Sequence, residues 1–274
     1  MQQASEDAGG AAFVPLRAAL ALHGAGDGLE LRAFGRESVD LDVEFDGSRA
    51  AAVTELLQAC TCRAGGAPVE RDLLWSLPVR ARLHALVGVC LLTGWRDIEL
   101  TLTCPREDCG EHVELELALA QLADAAQASA AREPREVAFG EERFRPVLPT
   151  GDDLRRWSAR APSDADLLAG LGGPRVAEDD APVALLELVE AALAEVDPLV
   201  DVRVQASCPS CGQALEAGVD VEGAAIALLR RTSDELLHDV AALAAAFGWN
   251  EREILALPRR RRRRYRAMLT EAIA

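Results

Sequence analysis

The sequence predicts an α+β fold, mainly helical with short β-hairpins, and three observations point there. Half of the 274 residues are hydrophobic while aromatics make up only 4 %, a composition of packed alanine- and leucine-rich helices rather than of an all-β sandwich. Apolar residues recur at helical spacing in several stretches, the longest from Glu222 to Phe247. A strand, knuckle, strand unit occurs twice, around Cys104-Pro105-Arg106-Glu107-Asp108-Cys109-Gly110 and around Cys208-Pro209-Ser210-Cys211-Gly212. Each knuckle follows an alternating run opened by an acid, Asp97 or Asp201, and precedes a second run carrying Glu114 or Glu216.

Residues 1–12 are small and polar and read as a frayed start. Residues 13–70 read as an N-terminal hairpin and helix. Two alternating runs between Leu29 and Phe45 flank Gly35-Arg36-Glu37-Ser38, the pattern of a hairpin. Ser48 is placed to cap a helix ending near Cys60. Residues 71–274 form the remaining α+β body. Its first long helix starts near Pro78, places Val79, Leu83, Leu86, Val87, Cys90 and Leu91 on a core face, and stops at Gly94.

The two knuckle units span 97–119 and 201–221. Between them, 120–136 reads as a short helix plus linker, 143–150 as extended chain, and Thr150 or Asp152 as a helix cap. Residues 170–180 read as a loop and 183–196 as a helix. The end, 222–274, is helical: a stripe of Ile226, Leu229, Leu236, Val240, Leu243 and Phe247, a stop at Gly248, a capping box at Asn250-Glu251-Arg252-Glu253, and a last helix from Pro258. The short helix after Asn250 is expected to fold back and bury Trp249 against that stripe.

Cys104, Cys109, Cys208 and Cys211 supply the four thiolates that a structural zinc requires, with a glycine after the second cysteine of each pair to suit a tight turn. Such a zinc ribbon would tie the two halves of the chain together and leave no coordination position for water. The competing readings are metal-free hairpin thiols and a thiol-disulfide oxidoreductase. The latter needs its Cys-x2-Cys at a helix start, whereas these flanks read as strands. His112 is near enough to replace Cys109 but reads as an exposed turn residue, and Cys60, Cys62 and Cys90 carry no assigned role.

A net charge of −16 disfavours general nucleic-acid affinity and makes protein partners the expectation. No apolar stretch reaches the length of a membrane span, and the amino-terminal residues lack the features of a signal peptide, so the expected compartment is the cytoplasm. No nucleophile elbow, phosphate loop or histidine pair suggests an enzyme. Lysine is absent and arginine abundant, which weakens the meaning of the run Arg259–Arg264. It reads first as a solvated helix face, with docking to an acidic protein surface or to nucleic acid as alternatives.

The ending Leu237-His238-Asp239-Val240, then Ala246-Phe247-Gly248-Trp249-Asn250-Glu251-Arg252-Glu253-Ile254-Leu255-Ala256-Leu257-Pro258 and the arginine-flanked Tyr265, resembles the ending of T4-type phage baseplate hub assembly proteins. These also occur in contractile phage-tail-like injection systems. Leu148-Pro149-Thr150 leading into Asp153-Leu154 and the two Cys-Pro knuckles resemble the injection-system members. Phe247 in place of tyrosine and the Cys-x4-Cys spacing of the first knuckle depart from the family. The resemblance, from about Asp72 to the end, implies a non-enzymatic assembly protein whose partners are baseplate, hub or spike subunits. A zinc-ribbon adaptor for nucleic acid is the competing class. It calls for a basic, aromatic ribbon surface, whereas Glu107, Asp108, Glu111, Glu114 and Glu116 surround the first knuckle.

Overall fold

The computed structural model describes residues 14–15, 29–63, 67–176 and 182–273. About 52 % of the chain is helical and the strands form small antiparallel groups, which bears out the α+β expectation. Strands β1 (Val14–Pro15), β2 (Leu29–Leu31) and β3 (Thr61–Arg63) make one antiparallel sheet, with β2 in the centre. Helices α1 (Arg49–Cys60), α2 (Arg71–Ser76) and α3 (Val79–Thr93) follow. The first knuckle hairpin is β4 (Asp97–Thr103) with β5 (His112–Ala118), running directly into α4 (Leu119–Ser129).

A second, smaller hydrophobic cluster lies between the knuckle units. It is built from hairpin β6 (Val137–Phe139) and β7 (Glu142–Phe144) and from α6 (Asp164–Gly170) and α7 (Val183–Ala194), with Leu168, Leu185 and Val189 at its centre. Helix α5 (Gly151–Ala159) starts at Thr150, whose hydroxyl accepts the Asp153 amide as the sequence predicts. The second knuckle hairpin is β8 (Val202–Ser207) with β9 (Ala214–Val219). It leads into the long α8 (Val221–Phe247), then α9 (Glu251–Ala256) and α10 (Arg259–Ile273).

The main core is continuous across position 70, joining Leu31, Val53, Leu56 and Leu57 to Leu86, Val87, Ile98 and Leu229. The face predicted on α3 is its middle, with Leu83, Leu86, Val87 and Cys90 buried and Gly94 ending the helix in the left-handed region. Arg82, on the same helix, is 1 % exposed and was not expected there. Its guanidinium donates to the carbonyls of Leu74 and Ala50 and to Thr54 Oγ1, and it lies 5.1 Å over the Trp75 ring. The charge is tolerated because three of its N–H groups find oxygens on α1 and α2, a condition that helix periodicity alone does not reveal.

The expected hairpin over Leu29–Phe45 is not formed. The chain leaves β2, bends, and makes a 3-10 helix at Ser38–Asp42. The cause is Asp40, which is fully buried. It takes the Arg32 guanidinium at 2.6 and 2.8 Å and the amides of Gly35, Arg36 and Glu37 at 2.7 to 3.2 Å. A carboxylate collecting three consecutive amides winds the chain around itself and outweighs the alternation that suggests a strand. Gly35 is required for two reasons, a φ of +80° and a Leu236 methyl that would lie 2.4 Å from any Cβ placed there.

The C-terminal helices also correct the sequence reading. The capping box at Asn250 forms and Gly248 ends α8 in the left-handed conformation. Ile254 and Leu255 are the buried residues of α9. Trp249, however, is only half-buried and packs in an aromatic trio, stacked on Phe247 at 4.8 Å and edge-on to Tyr265 at 5.2 Å. Phe247 itself is 42 % exposed, so the trio closes the helix junction from outside rather than filling the core. Trp249→Ala should therefore cost about 1–2 kcal/mol, less than a core aromatic.

The arginine run is divided by the period of α10. Arg259, Arg262, Arg263 and Arg266 share one face and meet Glu235 and Asp239 of α8, while Arg260, Arg261 and Arg264 face solvent. Arg262 is 4 % exposed and donates to the carbonyls of Leu255 and Leu257. A uniformly solvated run is thus wrong for half of it. Arg262→Gln should cost about 2–3 kcal/mol, because two carbonyls and the buried Asp239 lose a charged partner. The combined change of Arg260, Arg261 and Arg264 to glutamine should stay within about 0.5 kcal/mol. Chemical denaturation of both variants checks the contrast.

Candidate metal centre

Both knuckles sit at the tips of hairpins whose bases stand on the main core. Ile98, Leu100 and Leu117 of one hairpin and Val202, Val204 and Val219 of the other pack into it. The alternating sequence puts those residues on the inward face and Glu99, Thr101, Arg203 and Gln205 outward. The register is the same in both units. Thr101 pairs with Glu114 and Gln205 with Glu216, while Thr103 pairs with His112 and Ser207 with Ala214. The first cysteine amide of each unit closes the loop onto the residue two beyond the second cysteine, Cys104 to the Glu111 carbonyl and Cys208 to that of Gln213, both at 2.8 Å. The two extra residues of the first knuckle are therefore absorbed in the loop alone.

Gly110 and Gly212 have φ of +60° and +73°, a conformation that turns the chain straight after each second cysteine. Backbone amides of Arg106, Glu111 and Gln213 point at the sulfurs of Cys104, Cys109 and Cys211. Each lies two residues after its cysteine, the arrangement that favours thiolate over thiol.

The tips bring the four sulfurs together. Cys104 Sγ lies 3.6 Å from Cys211 Sγ, Cys109 Sγ lies 3.6 Å from Cys208 Sγ, and all four are within 4.8 Å of one another. Each short contact joins one hairpin to the other, so the cluster is made by folding and not by either motif alone. Around it lie Leu215, Leu102, Val113 and Ala206, and Cys104 and Cys208 are themselves buried. Ser210 Oγ donates to Glu111 across the junction at 2.8 Å, a second link between the tips. Arg106, paired with Asp108, also reaches toward the Cys211 sulfur.

The electrostatics of the cluster explain what it can hold. The Gln213 amide, together with the three neighbouring thiols, lowers the Cys211 thiol to about 7. The Glu111 amide also favours ionisation of Cys109, but removal from water and the same neighbours push that thiol up to about 12. Cys104 is raised in the same way, against the pull of the Arg106 amide. Four sulfurs this close resist becoming four thiolates, and a cation among them removes that repulsion. A tetrahedral metal with bonds of ~2.3 Å to sulfur sets its ligands ~3.8 Å apart, close to the 3.6 Å observed. The four cysteines can hold a metal ion, and no other such cluster of cysteine, histidine or carboxylate groups occurs among the described residues.

His112 is not part of the cluster; it is exposed on β5 with Nδ1 3.2 Å from Thr103 Oγ1. Cys60 and Cys90 are buried core thiols, both raised by burial, Cys90 to about 12. Cys62 is half-buried on β3. No helix among the described residues is long and apolar enough to cross a membrane. No protein-family model, curated protein or solved structure matches the chain.

Proposed function

We propose that this chain is a non-enzymatic, chaperone-like assembly protein for the baseplate or hub of a contractile phage tail or phage-tail-like injection system, stapled by one structural zinc. The observation that carries the assembly reading is the resemblance of the C-terminal sequence Phe247-Gly248-Trp249-Asn250-Glu251-Arg252-Glu253-Ile254-Leu255-Ala256-Leu257-Pro258 to the ending of the hub assembly family. The zinc reading is supported by a donor set of four cysteine sulfurs, which suits a soft-tolerant tetrahedral ion better than calcium or magnesium. With all four positions taken by protein, the metal holds the two hairpins together and carries no chemistry. The hairpins brace α3 and α8, which leaves the helical exterior for recognising baseplate, hub or spike subunits in the cytoplasm, on or beside the assembling particle.

Deleting the gene in the producing cell tests the assembly reading. Sheathed particles counted by electron microscopy should disappear and return when the chain is supplied in trans. Normal particle numbers in the deletion would overturn it. Tight, salt-sensitive binding of the purified chain to DNA or RNA in a mobility-shift titration would favour the nucleic-acid adaptor instead.

A further inference from the structure

The arginines of α10 that turn inward do not simply cancel the acids of α8. Together with the bend after β2 they line a cleft of about 270 Å³. Five guanidinium groups, Arg36, Arg259, Arg262, Arg263 and Arg266, face two carboxylates, Glu235 and Asp239. Among the described residues that line it, that is an excess of three positive charges, in a chain whose total is −16. The imbalance is local and built in, because the remaining polar lining is already used. Thr232 accepts from the Trp95 indole and donates to the Leu228 carbonyl, and Thr93 accepts the Phe34 amide while donating to Val89.

Arg262 sits at the centre of the imbalance. It is 4 % exposed and is fixed by two carbonyl bonds, yet its Nε has no hydrogen-bond partner. The nearest carboxylate oxygen, on Asp239, is 3.5 Å away, and Asp239 gives its other oxygen to Arg266 at 3.1 Å. Burial first, and then, against the pull of Asp239, the charges of Arg36 and Arg259 make the Arg262 proton easier to lose. A buried cation short of acceptors and crowded by like charge is stabilised by an added anion. Arg36 contributes a cation at the rim with no ion pair among the described residues.

We propose that this cleft binds an oxyanion, a phosphate or a carboxylate, between Arg36 on one wall and the α10 arginines on the other. Two guanidinium forks on opposing walls suit a group that presents at least two oxygens. The ligand comes either as a free phosphate-type ion or as the acidic side chain of a polypeptide. The inference does not rest on the assembly reading.

Trp95 reports the event, since Arg259 and Arg231 lie 5.5 and 5.4 Å over its ring. The full chain is titrated at constant ionic strength with inorganic phosphate and, in a second arm, with a short acetylated glutamate peptide, following tryptophan fluorescence and melting temperature. Saturable binding of one probe is expected, and the arm that saturates identifies the source. The double variant Arg36→Gln and Arg263→Gln changes two exposed side chains and should weaken binding at least about 10-fold while melting close to wild type. Glu235→Gln removes an opposing charge and should tighten it, whereas Arg155→Gln, on α5, should leave it unchanged. No saturable signal with either probe, or binding that ignores both the double variant and Glu235→Gln, would overturn the proposal.

Discussion

Replacing Cys208 with serine is expected to empty the metal centre and to lower the melting temperature by about 10 °C, the shift that a loss of ~3 kcal/mol gives in a chain of this size. The reason lies in the architecture. Cys208 Sγ meets Cys109 Sγ of the other hairpin at 3.6 Å, so its removal unties two units far apart in sequence and leaves three mutually repelling sulfurs. Structural zinc contributes its binding free energy to folding, though here the hairpin bases remain anchored by Ile98, Val202 and Val219 in the core. That anchoring keeps the variant folded at room temperature. Metal content by elemental analysis should fall from one zinc per chain to none, and a strong chelator acting on wild type should reproduce the same melt. Cys90→Ser, in the core and away from the cluster, should retain the metal. Stoichiometric zinc in the Cys208 variant would sink the joint site.

Asp40→Ala should be the most damaging single change outside the metal centre, at about 3–5 kcal/mol. The substitution leaves the Arg32 guanidinium, 5 % exposed, without the carboxylate that it meets at 2.6 and 2.8 Å. Three amides that converge on the same carboxylate lose their acceptor together, so the 3-10 helix has nothing to wind around. Replacing both partners, Asp40→Ala with Arg32→Met, should recover part of the loss, because an unpaired buried charge costs more than an absent one. Urea denaturation of the two single variants and the double variant gives the coupling. If Asp40→Ala unfolds at the wild-type midpoint, the carboxylate is not what organises this segment.

The proposed oxyanion cleft lies on the same stretch. Gly35 and Arg36 belong both to the turn around Asp40 and to the cleft wall. Asp40→Ala should therefore also loosen anion binding, an effect that Cys208→Ser, remote from the cleft, should not share. Comparing the two variants separates a fault in the cleft from a fault in the metal centre.

Much of this molecule follows from local chemistry and was legible in the chain. Ser48, Thr150 and Asn250 cap the helices they precede because a short polar side chain reaches the free amides of the first turn. Gly94 and Gly248 end theirs because only a residue without a Cβ turns left at no cost. The two knuckle hairpins run over nearly the predicted spans because alternation and a cysteine-glycine turn specify strand and loop within a few residues.

What the tertiary structure alone decided is where charge goes inside. Asp40, Arg82 and Arg262 are buried because groups on other elements, or carbonyls at helix ends, share hydrogen bonds with them, and single-sequence periodicity treats any charged residue as exposed. The division of the arginine run could have been suspected from the spacing of Arg259, Arg262, Arg263 and Arg266, yet only the placement of α8 shows that Glu235 and Asp239 stand opposite. The four cysteines and their joint use were legible in the sequence; which sulfurs meet at 3.6 Å across the two hairpins was not, because each pair is local whereas the distance between the pairs is set by the core on which both hairpins stand.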